Sequence, residues 1–202
     1  MLRLLIAGFL LTSGALGLWL KGSWLAGEWE ARSAQQQRDR KIAAAPAGQL
    51  RTFLEDDDAE LRRMAAVRLA QNGDASGRAV LAGSLYPQTV FAASSGVFLA
   101  EAKAGVMVNA GQTIARIGRA ALRSPIYGEL RRYYPAAPPG YMAGHRVAEI
   151  VPGEASVKQA IEAIASIGNL SDAGELELLA KAFPQYRTEA MAASQKIHRG
   201  RK

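Results

Sequence analysis

The chain has 202 residues, 49% of them hydrophobic, and no cysteine. This length allows one or two small domains, and the missing cysteines exclude disulfides, thiolate metal sites and cysteine nucleophiles. The formal net charge is +7, and residues 89–153 hold seven basic against three acidic side chains. That balance favours an anionic membrane surface or an acidic partner. We recognise no nucleic-acid-binding module, which argues against nucleic acid.

The first element is an uncharged apolar run over residues 4–20. Its length is at the lower end of what crosses a bilayer as a helix, and Trp19, Trp24 and Trp29 cluster at its far end, where indole rings favour the headgroup layer. The run predicts one transmembrane anchor that contacts the lipid bilayer. A cleaved signal peptide is the alternative, because Ala15-Leu16-Gly17 offers small residues at the spacing that cleavage needs. The apolar run continues to residue 20, which favours retention.

Residues 58–74 predict an amphipathic helix. Asp57 or Asp58 supplies an N-cap oxygen, and Leu61, Ala65 and Leu69 fall on one face. The stretch resembles the second helix of a HEAT repeat, and the resemblance is carried by Asp58, Arg62, Ala65, Ala66, Leu69, Gly73 and Asp74. It implies stacked helical hairpins that bind proteins and carry no chemistry of their own. A generic helical bundle is the alternative.

Weaker matches to the same pattern flank the middle of the chain. Residues 50–54 and 78–85 resemble first helices of such repeats, and residues 156–168 keep helical apolar spacing. Two further helices are predicted over residues 173–183 and 184–197. By contrast, residues 31–48 are polar, then rich in alanine and interrupted by proline, and they predict a linker.

Two halves of residues 89–153 align with each other. Gly96 and Gly111 in the first half match Gly128 and Gly144 in the second. The apolar positions that follow also match, as Ile114, Ala115 and Ile117 do with Val147, Ala148 and Ile150. The pattern predicts two strand–turn–strand units that share one core, with the four glycines as structural turn glycines.

The duplicated motif resembles the biotinyl/lipoyl-like domain, the barrel-sandwich hybrid. In that family the domain either carries biotin or lipoate on a lysine between the halves or serves as a structural module of periplasmic adaptor (membrane-fusion) proteins. The segment between the halves, residues 118–123, has no lysine, and Lys103 lies inside the first half. We therefore expect no attached cofactor. The segment is also too short for the long helical hairpin of the adaptors.

Few residues indicate chemistry. His145 has no partner that would make it catalytic, and residues 56–58 are explained by helix capping rather than by a metal. Arg131, Arg132, Tyr133 and Tyr134 are the candidate partner-binding residues, because arginine and tyrosine are favoured at the centres of interfaces. We predict no catalytic, cofactor-binding or metal site.

The predicted fold class is α+β, with a transmembrane helix and HEAT-like helices that flank a small all-β domain. The predicted domains are an anchor (1–30), a linker (31–48), HEAT-like helices (49–88), the β domain (89–153), and helices with a basic tail (154–202). Because one domain is inserted into another where its ends meet, we expect the helices on either side to pack together. This expectation names Val80, Leu81 and Leu85 against Val157, Ile161 and Ile164.

The predicted function is that of a non-enzymatic scaffold or adaptor of a bacterial envelope or export assembly. Its partners would be other membrane or periplasmic proteins. The adaptor resemblance favours a single-pass protein of the inner membrane with a periplasmic body, although the basic residues after the anchor favour the cytoplasm by a strict count. An accessory subunit of a larger integral-membrane complex, such as an energy-transducing one, is the alternative. A cofactor-carrier protein is a more distant one.

Overall fold

The computed structural model describes residues 29, 31–136 and 140–200, and its architecture is mixed α+β. A helical array contains most of the helices, and a unit of two antiparallel sheets is inserted into it. The predicted anchor over residues 4–20 lies outside the described residues. Within the described ranges, no helix is both long and apolar enough to cross a membrane.

Seven α-helices are described. They are α1 (31–44), α2 (Ala47–Thr52), α3 (Ala59–Gln71), α4 (Arg78–Gly83), α5 (Glu154–Ile167), α6 (Leu170–Ala182) and α7 (Arg187–Arg199). Of the two predicted N-cap residues, Asp58 caps α3: its carboxylate accepts hydrogen bonds from the backbone N–H groups of Glu60 and Leu61.

The helices α2 to α7 form three hairpins. Helix α2 packs against α3, α4 against α5, and α6 against α7, while α3, α5 and α7 stack side by side. Small residues allow this close approach: a Cβ on Gly77, just before α4, would lie 2.7 Å from the Ala66 Cα in α3. The middle hairpin is the unusual one, because the whole β unit lies between α4 and α5.

The predicted packing across this insertion is confirmed. Leu81 and Leu85 share one buried cluster with Val157, Ile161 and Ile164, and Val80 packs against its margin. Neither helix buries its apolar face alone, so their association closes the array around the inserted unit.

The predicted linker is wrong for residues 31–44, which form helix α1. Ile42 is buried with Leu50 and Leu61, and the buried Arg38 places its Nε 2.7 Å from Asp58 Oδ2. The apolar periodicity that predicts a packed helix is absent because an arginine, neutralised by an ion pair, occupies the central buried position of α1.

The described residues of the β unit form seven strands in two sheets. The strands are β1 (Gln88–Phe91), β2 (Phe98–Ala100), β3 (Val106–Val108), β4 (Thr113–Ile117), β5 (Ala120–Arg123), β6 (Gly128–Tyr133) and β7 (Arg146–Pro152). The first sheet has the order β1-β7-β6-β3 and the second the order β2-β4-β5. Apolar side chains from both sheets meet in one core between them.

The strand register repeats the predicted duplication. Phe98 pairs with Ile117 in the first half, and the matching Leu130 pairs with Ile150 in the second. Strand β1 pairs with β7 in the same register in which β5 pairs with β4, and both pairs contain an irregularity at the corresponding place. The two halves are therefore related by an approximate two-fold axis.

The glycines of the duplication fall into two classes. Gly111 and Gly144 lie in equivalent turns, with φ of 85° and 83°. In each turn an N–H donates to the carbonyl three residues earlier, from Gln112 in one and His145 in the other. This pattern, with a positive φ at the third residue, is that of a type II turn, which favours glycine.

Gly96 and Gly128 are not tight-turn glycines, which corrects the prediction. Gly128 is the first residue of β6 and pairs with Val108, and Gly96 makes an isolated bridge with Tyr141. A Cβ on Gly128 would lie 2.0 Å from the Val151 carbonyl oxygen. Both glycines are required by a close approach of backbone, since a Cβ on Gly96 would likewise lie 2.9 Å from the Gly118 backbone nitrogen.

Candidate partner-binding surface

Arg131 and Arg132 both reach the surface of the β unit from strand β6. Consecutive strand residues normally point to opposite faces, but the β6–β7 register shifts between Leu130 and Arg132. The irregularity leaves both arginine side chains open, with 50% and 57% of their surfaces exposed. The structure thus brings this predicted pair to one solvent-accessible place.

Tyr133 is partly buried against the core of the β unit, and its predicted role in partner binding stays a prediction. Its hydroxyl donates to the Ile114 carbonyl at 2.6 Å and lies 3.1 Å from the Ala102 carbonyl oxygen. Its ring meets Phe98 edge to face, with ring centroids 5.0 Å apart. Burial raises the pKa of Tyr133 to about 12. The side chain fastens β6 to the first half of the unit.

Glu149 is the centre of the surface cluster. Arg132 donates from Nη2 to Glu149 Oε2 at 2.6 Å, and Arg131 donates from Nη1 to Oε1 at 3.2 Å. The Tyr134 hydroxyl donates to Oε2 at 2.7 Å. These hydrogen bonds, with that of Arg132 the largest, lower the pKa of Glu149 from its usual 4.5 to about 2. One nearly buried carboxylate therefore holds two arginines in place.

Tyr134 links a third arginine to the cluster. The guanidinium carbons of Arg132 and Arg146 lie 5.0 and 5.2 Å from the Tyr134 ring centroid, within the range of cation–π attraction. We name Arg131, Arg132, Tyr134, Arg146 and Glu149 the arginine–tyrosine face. It carries three cations and one anion, a local balance of +2. Phe91, exposed and paired with Arg146 across β1 and β7, adds an apolar border.

The other half of the duplication shows that the fold does not require this face. The strand register matches Arg132 with Leu99, and Arg146 and Glu149 with Thr113 and Arg116, while Arg131 is the extra residue of an irregularity that the β2–β4 pair lacks. The strand pairing is otherwise the same in both halves, but the charges differ. The arginine–tyrosine face is therefore a feature of one half that has diverged from its structural equivalent.

Sequence analysis missed Arg146 and Glu149. Aligning the two halves supplies a signal that finds Glu149: Arg132 pairs with Glu149 as Leu99 pairs with Arg116 in the other half, once the extra residue Arg131 is allowed for. A carboxylate opposite an exposed arginine on neighbouring strands indicates a cross-strand ion pair.

A second polar cluster lies where the β unit meets the helices. A cavity of about 170 Å³ is lined there by residues that include Glu60, Arg63 and Tyr127. Glu60 and Arg63 form a buried ion pair at 2.6 Å, and Arg63 also donates to Gln159 at 2.8 Å. No buried side-chain nitrogen or oxygen of the described residues lacks a partner. The pair thus joins α3 to α5 through satisfied hydrogen bonds.

The remaining polar candidates are His145 and Lys103. The His145 Nδ1 accepts from the Met142 backbone N–H at 3.4 Å, and Lys103 is exposed in the first half. In the part of the chain that the structure describes, no three histidine or acidic side chains come together as metal ligands would. The arginine–tyrosine face is thus the most distinctive polar feature of the β unit.

No family model, curated protein or solved structure matches this chain.

Proposed function

We propose that this chain is a membrane-tethered, non-enzymatic scaffold or adaptor of a bacterial envelope or export assembly. In this proposal residues 4–20 hold the protein in the inner membrane, and the folded body lies in the periplasm. The arginine–tyrosine face binds a partner protein. The proposal assigns the body no reaction and no attached cofactor.

The observation that carries the proposal is the divergence of the two halves. Arg132 is an exposed charged side chain at the position where the equivalent half has Leu99, and the exposed Arg131 is an extra residue that the equivalent strand lacks. Because strands β2 and β4 pair without either arginine, the fold does not explain the arginines. Arginine and tyrosine are the residues that contribute most often to interface hot spots.

The architecture supports a binding role. The duplicated two-sheet unit, with type II turn glycines at Gly111 and Gly144, fits the resemblance to the barrel-sandwich hybrid. The three stacked hairpins fit the resemblance to HEAT repeats, which bind proteins through their surfaces. Both resemblances point to an assembly module.

The test is co-purification of the full chain in a mild non-ionic detergent. We compare the wild type with Arg131→Gln/Arg132→Gln and with Arg116→Gln/Arg119→Gln, which removes the same charge from strand β4 and the turn that follows it. The proposal expects one stoichiometric membrane or periplasmic partner with the wild type and the control, and its loss with the first variant. Equal recovery from all three chains would contradict the assigned face.

The second candidate function is an accessory subunit that stabilises a larger integral-membrane complex. It is favoured by two exposed leucines, Leu170 and Leu178, which lie eight residues apart on α6 with Gly174 between them. Residues at this spacing share one helix face. For this candidate, Leu170→Ser/Leu178→Ser abolishes co-purification, and Arg131→Gln/Arg132→Gln leaves it unchanged.

A further inference from the structure

We infer that the arginine–tyrosine face takes a carboxylate-rich segment of its partner protein. The inference rests on the proposed function for the partner's being a protein, and it adds the chemistry by which that partner is recognised. Three observations support it: the face has open hydrogen-bond donors, Glu149 fixes their positions, and the residues around them suit a protein partner.

The face has hydrogen-bond donors to spare. A guanidinium group carries five N–H donors. Arg131 uses one of them on Glu149, and Arg132 uses those on Nε and Nη2. Since about half of each side chain is exposed, the remaining donors are open to a ligand. An anion with paired oxygens matches this fork of donors.

Glu149 positions these donors before any ligand arrives. Its two oxygens accept hydrogen bonds from Arg131, Arg132 and Tyr134, and its side chain is only 10% exposed. Because this carboxylate is shared among three donors, it fixes the positions of the two arginines but leaves some of their N–H donors open to a ligand. The ordering of two long side chains, normally a cost of binding, is thus partly met within the free protein.

The composition favours a protein anion over a lipid surface or a nucleic acid. Lipid-binding clusters hold about 4–8 basic residues, whereas this face has three arginines opposed by Glu149. Single-stranded nucleic acids stack their bases on aromatic rings, but the Tyr134 ring is engaged by two guanidinium groups. The exposed Phe91 beside Arg146 offers the apolar contact that is typical of protein interfaces.

The test measures binding of a fluorescein-labelled hexaglutamate peptide to the full chain in non-ionic detergent, by fluorescence anisotropy. The inference expects Arg131→Gln/Arg132→Gln to weaken binding by at least about 10-fold. The matched control Arg116→Gln/Arg119→Gln removes the same charge from strand β4 and the turn that follows it, and it should change affinity less than about 3-fold, since distant charges are screened by salt. Circular dichroism melting verifies that each variant is folded.

The inference can still be tested if the face variant is destabilised. If Arg131→Gln/Arg132→Gln has a lower melting temperature because Glu149 is left unpaired, the triple variant with Glu149→Gln removes that unpaired charge. The triple variant should still fail to bind the peptide. Equal weakening by the face variant and the control would overturn the inference, because attraction would then depend on net charge alone.

Two competing anions complete the experiment. Tighter, Arg131- and Arg132-dependent binding to phosphatidylglycerol vesicles or to an oligothymidylate would overturn the inference and assign the face to a lipid or a nucleic acid. If the wild type does not bind hexaglutamate but Arg131→Gln/Arg132→Gln loses the co-purified partner, the proposed function stands and the carboxylate inference fails. If no partner depends on the face while hexaglutamate binding does, the proposed function fails instead.

Discussion

The duplicated glycines allow a sharp test of the two-fold relation within the β unit. We expect Gly111→Ala and Gly144→Ala to lower the free energy of unfolding by similar amounts, about 1–2 kcal/mol each. That is the cost of placing a side chain at a left-handed φ, and the two angles differ by only 2° (85° and 83°). Space adds nothing to it: a Cβ on Gly144 meets no atom within 4 Å, and one on Gly111 meets only the end of the Arg38 side chain at 3.6 Å.

Gly128→Ala should cost more for a different reason. Its added Cβ would lie 2.0 Å from the Val151 carbonyl oxygen, a backbone atom that cannot move without shifting strand β7. We expect about 3 kcal/mol or more, the upper range for forcing atoms into a packed region. Ranking the three variants by their loss of stability thus distinguishes backbone strain from a steric clash.

Urea titration followed by circular dichroism measures these differences, and Gly174→Ala is the matched control. Gly174 lies within α6 with no atom near its added Cβ, so alanine there should stabilise the protein by about 0.8–1 kcal/mol. A difference of more than about 1 kcal/mol between Gly111→Ala and Gly144→Ala would refute the equivalence of the two turns. So would a Gly128→Ala variant as stable as Gly144→Ala.

Three further predictions concern the helical array and the face. Ile161→Ala, in the core that joins α4 to α5, should cost about 2–5 kcal/mol by thermal denaturation, whereas the exposed Leu178→Ala should change little. Arg38→Ala should cost about 1–3 kcal/mol by leaving Asp58 without its ion-pair partner, and a loss no larger than that of the exposed Arg40→Ala would contradict this role for α1. Because the folded pKa of Glu149 is about 2 against the usual 4.5, its stabilisation is complete above about pH 4.5 and is lost as the pH falls towards 2; the wild-type advantage in melting temperature over Glu149→Gln should therefore shrink over that window.

The elements with regular apolar spacing could be predicted from the sequence. The cap at Asp58, the α4–α5 contact through Leu81 and Ile161, and the duplicated strands are all present in the structure. These features depend on local spacing or on a repeat within the chain, which sequence patterns report directly.

The features that could not be predicted depend on partners distant in sequence. Helix α1 packs through Arg38, a residue normally assigned to the surface, because Asp58 neutralises it from twenty residues away. Tyr133 points inward because of an irregularity in the β6–β7 register, which reverses the alternation expected from the sequence. The site centre, Glu149, becomes visible only when β7 is placed beside β6.

Because the β unit is inserted into the middle hairpin, helices α4 and α5 of that hairpin are synthesised at well-separated times. Helix α4 leaves the ribosome about 70 residues before α5 begins, which at about 5–20 residues per second is about 4–14 s. Throughout that interval Leu81 lacks the partner helix that covers it in the finished array. Pairing of β1 with β7 then draws the two ends together and shortens the search of α5 for α4. Folding of the β unit therefore brings α5 to α4 and completes the helical array during synthesis.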